Sequence, residues 1–180
     1  MKKISLCIPN YTRTHFLIES FNKVINDDRI SEIIINDDCS SNFEEAIKLL
    51  EDLQKEFKMA MILITHDMGV VAGAADRVNV MYAGRIVESA NVKDLYANPL
   101  MPYTQGLLSS VPRMDRPHTN RLSAIPGQPP SMIALPSGCS FNPRCGRKDE
   151  VGANKCETQM PELTPRGIGH LSRCFIGEGA

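Results

Sequence analysis

Hydrophobic residues occur along this chain in short bursts separated by polar stops. Ile4 to Ile8 reads as a strand that ends at Pro9-Asn10-Tyr11. Phe16, Leu17, Phe21, Val24 and Ile25 then recur at helical spacing, with Thr14 as cap and Asn26-Asp27-Asp28 as stop. Ile33-Ile34-Ile35 is a second strand, ending in Asn36-Asp37-Asp38. Asn42 and Glu45 have capping-box spacing for a helix whose apolar face is Phe43, Ala46, Ile47, Leu50, Leu53 and Phe57. Met61 to Ile64 is apolar without alternation, which predicts a strand buried on both faces, and it stops at Thr65-His66-Asp67. Asp67 can cap a helix over 68–75. Val78 to Tyr82 and Arg85 to Glu88 predict two strands around a tight turn at Ala83-Gly84. Asn91 opens a short helix to about Ala97, Pro99 ends it, and Pro102 suits the first turn of another, Tyr103 to Ser110. From Val111 to Pro136 the prolines and glycine preclude regular structure.

This alternation of strand and helix predicts an α/β fold: a small, mostly parallel sheet with flanking helices, then an irregular cysteine-containing extension. Three segments are expected, 1–50, 51–110 and 111–180. Tyr11, Asp37-Asp38 and His66 each follow a strand. Parallel neighbours would bring all three to one sheet edge, the edge where open α/β sheets bind phosphate-bearing ligands.

With 180 residues there is room for one domain, or a domain and an appendage. No apolar run approaches the roughly 18 residues of a membrane span, and the run after Lys2-Lys3 is too short for a signal peptide. A cytosolic protein is therefore expected. A formal net charge of −1 and the lack of tryptophan leave no footprint for nucleic acid. Cys139, Cys145, Cys156 and Cys174 crowd the tail. In a cytosolic chain, four soft thiolates argue for Zn²⁺ or an iron–sulfur cluster rather than disulfides, although the spacing contains no Cys-x-x-Cys pair. Arg144, Arg147 and Lys148 are expected to lower the pKa of nearby thiols.

The stretch from Met59 to Glu88, MAMILITHDMGVVAGAADRVNVMYAGRIVE, resembles the distal part of the ATPase subunit of oligopeptide/dipeptide ABC transporters. The likeness continues through NPLMPYTQGLLSSVPRMD and RLSAIPGQPPSMIALPSGCSFNPRC to the last two cysteines, so it covers roughly residues 53–174. It implies an incomplete P-loop NTPase-like domain in which His66 is the switch histidine that touches the γ-phosphate of ATP with its Mg²⁺. It implies a cognate ATPase subunit and a membrane permease as partners, at the cytoplasmic face of the membrane. It also implies that the four cysteines lie in a C-terminal extension that in some members holds a [4Fe–4S] cluster, with Zn²⁺ the lesser alternative.

The beginning of the chain resembles something else. SLCIPNYTRTHFLIESFNKVINDDRISEIIINDDCSS is similar to the amino-terminal βαβ unit of family-2 nucleotide-sugar glycosyltransferases, over about residues 3–45. That resemblance implies that Pro9, Tyr11, Arg13, Asp37 and Asp38 hold the uridine of a UDP-sugar. The family's Asp-x-Asp metal motif and catalytic base have no counterpart here. Ile33 to Asp38 also imitates a Walker B strand, with Asp38 where that motif has Glu, and solvated aspartates at a strand end are the plainer alternative. The two resemblances meet between Asn42 and Lys55, so a chimera is expected: a truncated importer ATPase subunit, a glycosyltransferase-like fragment with residual UDP-sugar binding, or a recombined reading frame without function. The sequence has no Gly-x-x-x-x-Gly-Lys-Ser/Thr and no Leu-Ser-Gly-Gly-Gln. Without a loop of amides and a lysine around the phosphates, autonomous ATP hydrolysis is not expected.

Overall fold

Isoleucines supply much of the first two strands, β1 (Ile4–Asn10) and β2 (Ile30–Asp37), as suits β-branched side chains on a pleated surface. The computed structural model describes residues 4–10, 19, 23, 30–37, 48, 51–52, 54–55, 60–111 and 124–177. The chain divides into two units, 1–74 and 75–180. In the first, β1 and β2 pair in parallel from Ile4↔Ile30 to Asn10↔Asp37, with an irregularity after Ile4. β3 (Leu63–Ile64) adds to β2 in parallel through Ile35↔Leu63 and Asn36↔Ile64, giving the order β1-β2-β3. Glu19 and Lys23 fall in the first expected helix and form an exposed ion pair of 3.0 Å. Lys48, Glu51, Asp52, Gln54 and Lys55 are helical, within the second.

The expected burial of Met61 to Ile64 on both faces is corrected. Met61 and Leu63 are half-buried, while Ile62 and Ile64 are 65% and 56% exposed. β3 is an edge strand, and only one of its faces is covered. After it, α1 (Met68–Ala74) begins as expected at Asp67, whose Oδ1 accepts from the amides of Gly69 at 2.8 Å and Val70 at 3.2 Å.

The second unit is built on an antiparallel sheet of order β4-β5-β7-β6, so the expectation of one mostly parallel sheet is corrected: the α/β class stands, with two sheets. β4 (Arg77–Tyr82) and β5 (Arg85–Asn91) form a hairpin closed by Ala83 at φ +48° and Gly84 at φ +73°. Two consecutive positive φ values are what a two-residue turn needs to match the strand twist. Asn91 caps α2 (Val92–Ala97), its Oδ1 accepting from the Asp94 amide at 2.9 Å. Pro102 opens α3 (Pro102–Ser109) at a position whose amide would have no partner anyway.

The extension is less irregular than expected. Short 3₁₀ turns at Asn142–Arg144 and Lys148–Val151 precede a single helical turn, α4 (Lys155–Thr158). β6 (Thr164–Gly167) and β7 (His170–Ser172) then form a hairpin that pairs with β5 through Glu88↔Ser172 and Ser89↔Leu171. Residues 124–136 contain neither helix nor strand, as expected.

The core lies between this sheet and the segments packed on it: Val80, Tyr82, Val87, Ala90, Leu95, Met101, Phe141 and Cys174. Leu95 and Met101 are essentially sealed from solvent, each contributing about 1.5–3 kcal/mol by burial. Tyr82, Tyr103 and Phe141 pack as a triad with ring centroids 4.6–5.4 Å apart. Among the described residues no helix is long and apolar enough to cross a membrane.

Candidate functional site

The sequence places candidate chemistry in both units. In the first, β1, β2 and β3 end side by side at Asn10, Asp37 and Ile64. His66 follows two residues after β3 and is exposed. Its neighbours fix the backbone around it: Thr65 Oγ1 accepts from the Asp67 amide at 3.0 Å, and the Asp67 carbonyl accepts from Val71 at 3.2 Å. An imidazole held there can donate to or accept from a ligand arriving at the strand ends. Of the expected uridine contacts, Pro9 and Asp37 are at strand ends on this edge, paired with Asn36 and Asn10 respectively. Tyr11, Arg13 and Asp38 lie outside the described residues.

In the second unit Cys139, Cys145, Cys156 and Cys174 are all free thiols. The 3₁₀ turn and chain bends around them aim backbone amides at sulfur. Phe141 and Asn142 donate to Cys139, Arg147 to Cys145, and Ile176 to Cys174. The Cys139 amide donates to the Cys156 carbonyl at 2.8 Å. The thiols also sense one another electrostatically: Cys156 feels Cys139 and Cys145, and Cys174 feels Cys145 and Cys156.

The expected lowering of thiol pKa by nearby cations is corrected. Burial pushes all four thiols up, and it is the largest cause at each. Arg147 and Lys148 act on Cys145 only as lesser, opposing influences. They are otherwise engaged, Arg147 with Glu150 at 2.7 Å and Lys148 with Glu157 at 2.7 Å. Arg144 turns elsewhere, donating to the carbonyls of Pro126 at 2.9 Å and Ile125 at 3.3 Å and to the Tyr82 hydroxyl at 3.4 Å. Among the described residues no group of three or more His, Cys, Asp or Glu is arranged to hold a metal ion. The thiols fit a soft metal by their chemistry but do not form a ligating set for a single ion.

Sequence reasoning missed a fully buried acid of the unit. Glu88, fully buried on β5, accepts from the amides of Leu100 at 2.7 Å and Met101 at 3.0 Å, and its Oε1 lies 2.7 Å from His170 Nε2. It clamps the entry to α3 and the last strand onto the hairpin. Arg173 adds a second brace, donating to the carbonyls of Ile86 at 2.9 Å and Pro161 at 3.0 Å.

Comparison with known proteins gives this architecture a context. Residues 87–151, from β5 through the second 3₁₀ turn, match the model of the oligopeptide/dipeptide transporter, C-terminal region. The chain is similar to the oligopeptide transport ATP-binding protein AppD of Bacillus subtilis, 46% identical over 134 residues, 74% of this chain and 39% of that protein. It is 45% identical over 133 residues to OppD of Escherichia coli, 73% of this chain and 37% of the relative. It is 52% identical over 118 residues to OppD of Mycobacterium tuberculosis, 66% of this chain and 19% of the relative. The chain thus spans about two fifths or less of the length of these relatives, all of them named as oligopeptide transport ATP-binding proteins.

Proposed function

We propose that residues 53–174 are the distal part of an ATP-binding subunit of an oligopeptide/dipeptide ABC importer, and that residues 3–45 derive from a glycosyltransferase-like βαβ unit. The similarity to AppD over 134 residues carries the first half of this reading. Segment 51–110 then corresponds to the end of an incomplete P-loop NTPase-like nucleotide domain, and 111–180 to its extension. His66 is the residue that would meet the γ-phosphate of Mg-ATP, from an exposed position beside the strand ends. The partners of this reading are a cognate ATPase subunit and a membrane permease, met at the cytoplasmic face of the membrane. The chain itself supplies no phosphate-binding loop, and phosphoryl transfer depends on positioning and charge stabilisation around the phosphates. It therefore does not hydrolyse ATP alone.

Backbone chemical-shift mapping of the labelled chain tests this, with Mg-ATP and UDP titrated separately. Movement of Thr65, His66 and Asp67 with ATP supports the importer reading. Movement of Asn10, Tyr11 and Asp38 with UDP favours residual sugar-nucleotide binding, and silence with both favours a recombined reading frame without function. ATP turnover by the chain alone, abolished in His66→Ala, would overturn the predicted inactivity.

A metal centre at Cys139, Cys145, Cys156 and Cys174 is a second reading, favoured by the backbone amides aimed at three of the sulfurs. Such amides stabilise thiolate charge. A single Zn²⁺ draws its ligands to about 2.3 Å and needs four sulfurs nearly in contact. The resemblance to importer ATPases whose extension holds a [4Fe–4S] cluster in some members places an iron–sulfur cluster ahead of Zn²⁺. It would supply a rigid crosslink to the extension. Metal analysis and an absorbance scan of anaerobically purified protein are expected to show iron with sulfide-to-iron charge transfer; folded, colourless, metal-free protein defeats this reading.

A further inference from the structure

We propose that β4 is a self-pairing edge, through which two copies of this chain join β4 to β4, antiparallel, about a two-fold axis. The sheet of the second unit has two edges, β4 and β6, and they are built differently. β6 has only four residues, one of them Pro165. Its register with β7 passes from Pro165↔Leu171 to Gly167↔His170, so Arg166 is an extra residue that bulges the strand. Shortness, a proline and a bulge all keep an edge from recruiting another strand. β4 has none of these. It runs for six residues, RVNVMY, without proline, glycine or lysine. The extra residue in its pairing with β5 is Val87, on β5, because Val80↔Glu88 is followed by Met81↔Ile86. β4 itself therefore alternates without a break. Arg77, Asn79 and Met81 are exposed, Val78 is half-buried, and Val80 and Tyr82 are buried.

A single antiparallel neighbour takes up about half of a strand's main-chain donors and acceptors, and the rest point away from it. Among the described residues no main-chain group outside β5 bonds to residues 77–82. The outward amides and carbonyls are a template for an added strand. The charges select the partner and its direction. Asp76 and Arg85 are exposed, and neither is in an ion pair among the described residues. Parallel self-pairing would set Arg77 beside Arg77 and Asp76 beside Asp76, and like charges placed opposite one another are destabilising. Antiparallel pairing about an axis near Val80 parts the two Arg77 side chains to opposite ends. It also brings Asp76 of each copy to the Ala83-Gly84 turn of the other, one residue from that copy's Arg85. Met81, 59% exposed, then meets its counterpart diagonally beside the axis, and the two leave water together. The contact is isologous and closes at two copies, since the β6 edge of each sheet is blocked.

Sedimentation of the full chain over a range of concentrations, without nucleotide, is expected to show a monomer–dimer equilibrium. In a mixture of isotope-labelled and unlabelled chains, isotope-filtered NOEs should join β4 of one copy to β4 of the other. Met81→Lys places two cations beside the axis and should shift the equilibrium toward monomer by roughly tenfold or more, with an unchanged circular dichroism spectrum. Arg85→Asp should weaken the dimer, and adding Asp76→Arg should restore it, which a loss of folding would not do. A monomer at every concentration would overturn the proposal, and so would a dimer whose NOEs lie outside β4. Monomers whose outward β4 amides resist hydrogen exchange would show that another segment of the same chain covers the edge, which equally defeats it. The wild-type measurements decide the matter even if a variant fails to fold.

Discussion

Glu88→Ala is expected to destabilise the second unit by on the order of 3–5 kcal/mol. The side chain is fully buried and receives the amides of Leu100 and Met101 on one side and His170 on the other. Alanine leaves these groups facing a cavity, and each buried polar group without a partner costs about 1–3 kcal/mol. Glu88→Gln keeps the shape, but it turns an amino group on at least one of the three donors, so it should recover only part of the loss. In a unit of this size a change of this order lowers the melting temperature by roughly 10–25 °C. Thermal unfolding followed by circular dichroism measures it. A drop of only a degree or two would show that the clamp is dispensable.

Gly138→Ala should cost about 3 kcal/mol for a different reason. The residue sits at φ +69°, where a side chain is strained, and its Cβ would fall 2.4 Å from the Cys156 oxygen and 2.7 Å from the Glu157 carbonyl carbon. Backbone on both sides leaves nothing flexible to give way. The 137–139 segment must then lift off α4, losing the bonds from Ser137 and Cys139, each worth about 0.5–1.5 kcal/mol, in addition to the left-handed strain of about 1–2 kcal/mol. Urea unfolding measures the loss of stability, and faster hydrogen exchange at the Cys139 amide would locate it. An unchanged exchange rate there would contradict the close approach.

What could be read in advance follows the range of the interactions involved. The Asp67 and Asn91 caps and the Ala83-Gly84 turn are set by residues within a few positions of one another, and each forms where the sequence places it. The second hairpin was not legible. Thr164-Pro-Arg-Gly has no apolar alternation, and a proline argues against any strand but an edge one, which is the place β6 takes. Ile62 and Ile64 misled because an unbroken apolar run reads as doubly buried whether or not a neighbour covers the second face. Glu88 looked like the polar end of a strand, and only partners 12, 13 and 82 positions away show it to be interior. Arg144 is adjacent to Cys145 in sequence, but its guanidinium is taken up by Tyr82 and the carbonyls of Ile125 and Pro126.

The seating of β7 against β5 also dictates an order of events during synthesis. The first hairpin leaves the ribosome with one long edge open, and its neighbour is encoded some 80 residues later, since Glu88 meets His170 across 82 positions. Until then the nascent chain exposes unpaired main-chain groups and an acid that lacks its histidine partner, the kind of edge that other chains can capture. A chain interrupted shortly before Thr164 would therefore be prone to aggregation.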